Sequence, residues 1–70
     1  MDARQTVGKN VRALREQRGW SQEELAERSG LHRTYISGVE RGVRNPTVTV
    51  LTSLAEALLI DASCLLARVE

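Results

Sequence analysis

Apolar residues recur every three or four positions through most of the chain, which is the period of amphipathic helices. The first such segment begins at Asp2 or Thr6 and continues to Arg18, where Gly19 can end it. Its apolar stripe consists of Val7, Val11 and Leu14. We expect Lys9, Arg12 and Arg18 to lie on solvated surface, either as solubilising charge or as DNA contacts. Residues 47–50 are β-branched, but so short a strand would have no plausible partner in this chain. The pattern therefore predicts an all-α fold.

The second predicted helix begins after Ser21 and ends before Gly30, a residue suited to the left-handed conformation just past a helix. Ser21 can accept a hydrogen bond from the N–H of Glu24, whose carboxylate can return to the N–H of Ser21 in a capping box. Trp20 and Leu25 occupy the two positions of a hydrophobic staple. We therefore expect Trp20 to have a structural role.

A third helix follows after a connection so short that it must cross the second helix steeply. Two residues separate Gly30 from the periodic segment 33–41, a spacing typical of a helix-turn-helix, here residues 21–42. On a helical wheel Ile36 and Val39 share one side. The outer side carries Arg33 and Tyr35 at its edges and Thr34, Ser37, Gly38 and Arg41 between them.

This outer side has small side chains in the middle and long donors at the rim, as a helix needs to enter a DNA major groove about 12 Å wide. Arg33 can bond guanine O6 and N7 together, and a phosphate contact is the alternative. Thr34 and Ser37 can offer hydroxyls to base edges, and Thr34 a methyl to thymine, or both can be neutral surface. Gly38 would let the backbone approach DNA, and the Tyr35 hydroxyl can reach a phosphate.

The segment RTYISGVER, residues 33–41, resembles the Cro/cI-type (XRE-like) helix-turn-helix family, and especially the controller proteins of restriction-modification systems. The family resemblance extends over about residues 7–66, and the controller resemblance includes Arg44 and Asn45. It implies a compact five-helix lambda-repressor-like DNA-binding domain, in which the second and third helices form the helix-turn-helix.

The resemblance also implies roles for individual residues. Gln22 and the N-terminus of the second helix match a phosphate anchor. Arg15 and Glu40 match a pair that ties the first helix to the third, so we expect both to be structural. Whether controller-like residues near the groove edge contact phosphates or bases stays open. The predicted DNA-binding residues are Gln22, Arg33, Thr34, Tyr35, Ser37, Arg41, Arg44 and Asn45.

The last third of the chain predicts two further helices. Thr47 can cap a fourth helix that runs to Leu58, and Asp61 can cap a short fifth helix over about residues 62–67. Where the family commonly has a glycine after the fourth helix, this chain has Leu59. A leucine there must either adopt positive φ or let the helix end differently.

Apolar side chains are concentrated in residues 47–70, beyond what so small a domain can bury by itself. We therefore expect a homodimer through Leu58, Leu59, Ile60, Leu65 and Val69. The alternative is that these residues complete a five-helix core. A two-fold dimer would place two recognition helices about 34 Å apart, so the operator should be an inverted repeat.

Composition sets limits on the function. The chain should form one domain, 1–70, and its net charge is only +1. The basic charge is local, since Arg33, Arg41 and Arg44 are accompanied in their region by one acid, Glu40. The N-terminus lacks an apolar signal core and no apolar run reaches about 18 residues, which predicts a cytoplasmic protein that does not bind membranes.

Catalytic and metal-binding chemistry is not indicated. One histidine, one cysteine and scattered acids supply neither a nucleophile with its base nor a metal set, so we expect no enzyme, cofactor or metal. Cys64 should be a small buried residue, and no small-molecule effector site can be discerned. We expect a homodimeric, sequence-specific transcriptional regulator that binds double-stranded DNA, with a restriction-modification controller as the narrower hypothesis. The alternative is an antitoxin-like protein-interaction module with secondary DNA binding.

Overall fold

The structure describes residues 2–68 of this computed structural model, and all the regular secondary structure in them is helical. The elements are α1 (Ala3–Gln17), α2 (Gln22–Ser29), α3 (Arg33–Glu40), α4 (Val48–Leu58) and a 3₁₀ turn (Ala62–Leu65). No strand occurs in this part, which confirms the all-α prediction. None of its helices is long and apolar enough to cross a membrane.

Side-chain caps set the starts of α1 and α2. Asp2 and Gln5 form a full capping box, in which the Gln5 N–H donates to Asp2 over 3.1 Å and the Asp2 N–H donates to Gln5 over 3.2 Å. Ser21 accepts from the Glu24 N–H as predicted, at 3.0 Å. The return bond from Glu24 is absent, because its carboxylate instead accepts from the Arg28 guanidinium at 2.8 Å. The capping box predicted for α2 is therefore only half formed.

The predicted fifth helix is a single 3₁₀ turn. Its hydrogen bonds span three residues, from the Cys64 N–H to the Asp61 carbonyl at 2.9 Å and from the Leu66 N–H to the Ser63 carbonyl at 3.1 Å. The Asp61 side chain makes no capping bond, so the predicted cap does not form. Cys64 is exposed, and the prediction that it is buried was wrong.

The core draws side chains from all four helices and from the 3₁₀ turn. It contains Val7, Val11, Leu25, Ala26, Ile36, Val39, Leu54, Ala55, Leu58 and Leu65. Leu58 and Leu65 are fully enclosed within one copy of the chain. Their side chains therefore cannot contact a partner, which corrects the prediction that placed them in a dimer interface. Of the other residues predicted there, Val69 lies outside the described part of the chain.

Leu59 ends α4 in the left-handed conformation, with φ 59° and ψ 45°. This is the strained alternative of the two that the sequence left open. Its side chain is 90% exposed, so it packs little against the rest of the domain. Ile60 is half-buried against the core, and Leu66 is exposed.

Two polar side chains, Asn10 of α1 and Arg18 directly after its end, hold the C-terminal part of the chain in place. The Asn10 amide donates to the carbonyls of Leu65 and Ala67 at 2.9 and 2.8 Å. Arg18 donates to the carbonyl of Leu58 at the end of α4. Arg18 is thus half-buried and bound to the backbone, whereas the sequence suggested a solvated charge.

Candidate nucleic-acid interface

The turn between α2 and α3 is fixed by backbone geometry. Gly30 adopts φ 75°, the left-handed conformation predicted for it. The N–H groups of Gly30 and Leu31 both donate to the Ala26 carbonyl, at 2.9 and 3.1 Å. His32 then begins α3 without a side-chain cap, and its carbonyl accepts from the Ile36 N–H. These bonds end α2 and redirect the chain within three residues.

One side of α3 is buried and the other faces outward. Ile36 and Val39 have no exposed surface and anchor the helix to the core. Arg33, Thr34 and Arg41 are exposed. Tyr35 and Ser37 are half-buried. The helical wheel therefore gave the correct orientation of α3, with Gly38 as the exception described below.

A buried ion pair joins α1 to the end of α3. Arg15 donates to both carboxylate oxygens of Glu40, from Nε at 2.7 Å and from Nη2 at 3.0 Å. A third guanidinium N–H donates to the Trp20 carbonyl at 2.7 Å. The Glu40 side chain is 4% exposed and that of Arg15 is 12% exposed. The hydrogen bonds to Glu40 raise the pKa of Arg15 above its ordinary value.

Gln22 belongs to the same hydrogen-bonded group. Its side-chain amide donates to Oε1 of Glu40 at 3.1 Å. An amide nitrogen carries two N–H groups, so the second can be given to an external acceptor. Gln22 also occupies the first position of α2, where backbone N–H groups are free and the helix dipole favours an anion. The predicted phosphate anchor is therefore positioned by the ion pair between α1 and α3.

Gly8 is a structural determinant of this site that sequence reasoning missed. It is buried where α1 crosses the end of α3, and a Cβ there would lie 2.7 Å from the Glu40 carbonyl oxygen. Only glycine allows this close approach without displacement. A glycine inside a helix costs about 1 kcal/mol of helix stability relative to alanine. Its unfavourable presence in the first predicted helix was the feature of the sequence that could have indicated a close contact at position 8.

Gly38 has a different role from the one predicted. It is buried, and its missing side chain leaves space for Arg44, whose Cγ would lie 2.5 Å from an added Cβ. The prediction that Gly38 lets the backbone approach DNA is thus corrected, because the space is already occupied by this chain. The guanidinium carbon of Arg44 lies 5.9 Å from the centre of the Tyr35 ring.

The remaining predicted residues lie at the surface around α3. The Arg41 Nε donates to the Ser37 carbonyl at 3.3 Å, so this side chain lies along its own helix. Arg44 and Asn45 are exposed in the loop that follows α3. The structure therefore brings the predicted residues into three separate contact pairs. They are Gln22 with Glu40, Ser37 with Arg41, and Tyr35 with Arg44.

Known proteins share this sequence and architecture. The pattern of the helix-turn-helix family HTH_3 matches residues 11–63. Control protein C.SmaI of Serratia marcescens is 50% identical over 68 residues, which are 97% of this chain and 81% of that protein. The hypothetical transcription factor NHTF from Neisseria has a TM-score of 0.92 and 43% identity, over 96% of this chain and 77% of that one.

A third relative was solved with DNA. The restriction-modification controller protein C.Esp1396I, a tetramer in complex with its natural 35 base-pair operator, has a TM-score of 0.84 and 34% identity. The match covers 93% of this chain and 86% of that one. These relatives are regulators, and no catalytic family is indicated. Because the family pattern spans most of the chain and the relatives match nearly its full length, this protein belongs to the XRE-like helix-turn-helix family.

Proposed function

We propose that this protein is a sequence-specific transcriptional regulator that binds double-stranded DNA, with α2 and α3 as its helix-turn-helix. The observation that carries the proposal is the outward face of α3 with its C-cap, where Arg33, Thr34 and Arg41 are exposed to solvent. Glu40, the one acid between residues 33 and 45, is enclosed and paired with Arg15. The face is therefore positively charged and slender, as entry into a major groove requires.

The proposed contacts divide into those that read bases and those that hold phosphates. Arg33 at the start of α3 is the direct reader of guanine, assisted by the hydroxyls of Thr34 and Ser37. Gln22 binds a phosphate at the N-terminus of α2, supported by Glu40. The contacts at the groove edge come from Tyr35, Arg41, Arg44 and Asn45.

The narrower proposal is control of a restriction-modification system. Its support is the 50% identity to control protein C.SmaI and the likeness to C.Esp1396I, which was solved as a tetramer on its operator. We place the protein in the cytoplasm, where its DNA target lies, and assign it no catalytic activity.

We further propose that two copies form a symmetric dimer on an inverted-repeat operator. The supporting surface lies at the end of α4, where Leu59 and Leu66 are exposed and Ile60 is half-buried. Leu58 and Leu65, which fill the core, are not part of it. Two-fold symmetry would present the two copies of α3 to successive major grooves about 34 Å apart.

The test begins with selection of bound duplexes from a random pool by the wild-type protein. Affinity for the selected duplex and for a scrambled one is then measured for Arg33→Ala, Gln22→Ala and a control. We expect Arg33→Ala to lose about 5- to 150-fold of discrimination, the equivalent of about 1 to 3 kcal/mol. Gln22→Ala should weaken binding to both duplexes alike, because a phosphate contact carries no sequence information.

Arg12→Ala is the matched control, since Arg12 is an exposed arginine of α1 that pairs with Glu16. This variant removes one positive charge from α1 and should leave the discrimination between the two duplexes unchanged. An equal loss on both duplexes for Arg33→Ala would contradict its role as a base reader. A wild-type protein that enriches no duplex from the pool would contradict DNA-binding function altogether.

A further inference from the structure

Gly38 lies beneath a side chain that the loop after α3 folds back across the helix. An added Cβ at Gly38 would lie 2.5 Å from Cγ, 3.3 Å from Nε and 3.5 Å from Cδ of Arg44. Real Cβ atoms do not approach carbon atoms as closely as 2.5 Å, so the stem of Arg44 occupies the place of a side chain at position 38. The absence of that side chain is what allows Arg44 to lie flat on α3.

Backbone bonds fix the loop in the same place. The N–H groups of Val43 and Arg44 both donate to the Gly38 carbonyl, at 3.0 and 3.2 Å. The Arg44 guanidinium is then carried across α3 to the ring of Tyr35, 5.9 Å from its centre, within the range of a cation–π contact. Gly38 thus holds Arg44 through its carbonyl and through the space above its Cα.

We propose that Gly38 is a positioning residue for Arg44. The space above its Cα, together with its carbonyl, forms a seat for the Arg44 side chain, and this seat keeps the guanidinium ordered beside Tyr35 before DNA binds. The inference rests on the proposed DNA-binding function and assigns one of its contacts. An arginine loses many rotamers when it is immobilised on binding, and a side chain held in advance loses fewer. Loss of the seat should therefore weaken binding without disturbing the core.

The test compares Gly38→Ala, Arg44→Ala and the double variant on the duplex selected above. Arg44 is exposed, so a Cβ at position 38 can displace its stem while α3 stays in place. We expect Arg44→Ala to reduce affinity about tenfold and Gly38→Ala to reduce it by a similar factor. In the Arg44→Ala background, Gly38→Ala should cause no further loss, because the residue on which it acts is gone.

Two measurements on the free protein separate this role from a folding defect. Alanine favours helix more than glycine does, so Gly38→Ala should keep or raise the Tm. NMR should find the δ protons of Arg44 shifted by the Tyr35 ring in the wild type. Gly38→Ala and Tyr35→Leu should abolish the shift, and Tyr35→Phe, which keeps the ring, should retain it.

The same loss from Gly38→Ala with and without Arg44 would overturn the proposal, since a Cβ would then be meeting the DNA directly. Unchanged affinity for Gly38→Ala would also overturn it. These outcomes differ from failure of the proposed function, in which the wild type would select no duplex. If the wild type selects no duplex, the NMR measurement still tests the proposal. A shift of the Arg44 δ protons that persists in the Gly38→Ala protein without DNA would show that Gly38 does not position Arg44.

Discussion

Replacing Leu59 by glycine should change folding and dimerisation in opposite directions. Leu59 is the non-glycine residue with positive φ among residues 2–68, and its side chain is 90% exposed. A leucine at this position is unfavourable for the isolated domain in two ways, through its backbone conformation and through its apolar surface. Contact with a second copy of the chain would compensate for both.

The magnitudes follow from the conformation and the exposure. A left-handed conformation costs an L-residue about 1 to 2 kcal/mol, and glycine adopts it without that cost. Glycine also makes the unfolded chain more flexible, which offsets about 0.4 to 1 kcal/mol. The exposed Leu59 side chain contributes little packing within the domain, so Leu59→Gly should stabilise each folded copy by about 0.5 to 1 kcal/mol.

The effect on the dimer should be larger and of opposite sign. Full burial of a leucine side chain contributes about 1.5 to 3 kcal/mol, and a two-fold interface buries it twice. Loss of even the lower total, about 3 kcal/mol, raises the dimer Kd more than 100-fold. Val48→Ala is the matched control, because Val48 is another exposed apolar residue but lies at the opposite end of α4.

Analytical ultracentrifugation over a dilution series gives the dimer Kd of both variants and of the wild type. Urea denaturation at several protein concentrations separates folding from dimerisation, since only the latter depends on concentration. Leu59→Gly should be more stable at concentrations where every variant is monomeric. A Leu59→Gly protein that dimerises as tightly as the wild type would refute the assignment of Leu59 to the interface.

Two further variants test how α1 holds α3. Arg15→Met should reduce the free energy of unfolding by about 3 to 5 kcal/mol, because it leaves the enclosed Glu40 carboxylate without its partner. Adding Glu40→Leu removes that carboxylate and should restore part of the lost stability. Gly8→Ala should destabilise the protein by about 1 to 3 kcal/mol in urea denaturation, because the new methyl group meets α3 backbone oxygens. A Gly8→Ala protein more stable than the wild type, as helix propensity alone predicts, would show that the two helices separate at no cost.

The sequence was a good guide wherever local interactions decide the structure. The turn after α2 needs positive φ and has Gly30, and α4 begins where the Thr47 hydroxyl accepts from the Val50 N–H at 3.2 Å. Each of these features depends on residues within four positions of one another. The orientation of α3 was also predicted correctly, since Ile36 and Val39 are separated by nearly one helical turn.

The errors concern contacts between residues far apart in the chain. Arg18 was interpreted as surface charge because its partner, the carbonyl of Leu58, is 40 residues away. Leu58 and Leu65 were assigned to a partner chain, although α1, α4 and the 3₁₀ turn leave space for both in the core. Helical periodicity identifies the side of a helix on which the apolar residues lie. It does not say whether that side meets the same chain or another one.

In the candidate site, too, local features could be predicted from the sequence and the contacts of the folded loop could not. The exposed residues of α3 could be identified from their spacing alone, since they lie opposite a buried stripe. The role of Gly38 could not, because a small residue on an outward face is compatible with approach by DNA or by a side chain of the same protein. The folded loop decides between them by placing Arg44 over that position.

The low net charge of this protein is consistent with DNA binding because two acids near the proposed interface, Glu40 and Glu24, are each paired with an arginine. Glu40, the one acid between residues 33 and 45, is enclosed and held by Arg15 at 2.7 Å. On α2, Glu24 is paired with Arg28 at 2.8 Å. Charges in water act over about 8 Å at physiological salt, so a phosphate at α3 responds mainly to the arginines closest to it. The distribution of charge, rather than its sum over 70 residues, is therefore what should determine affinity.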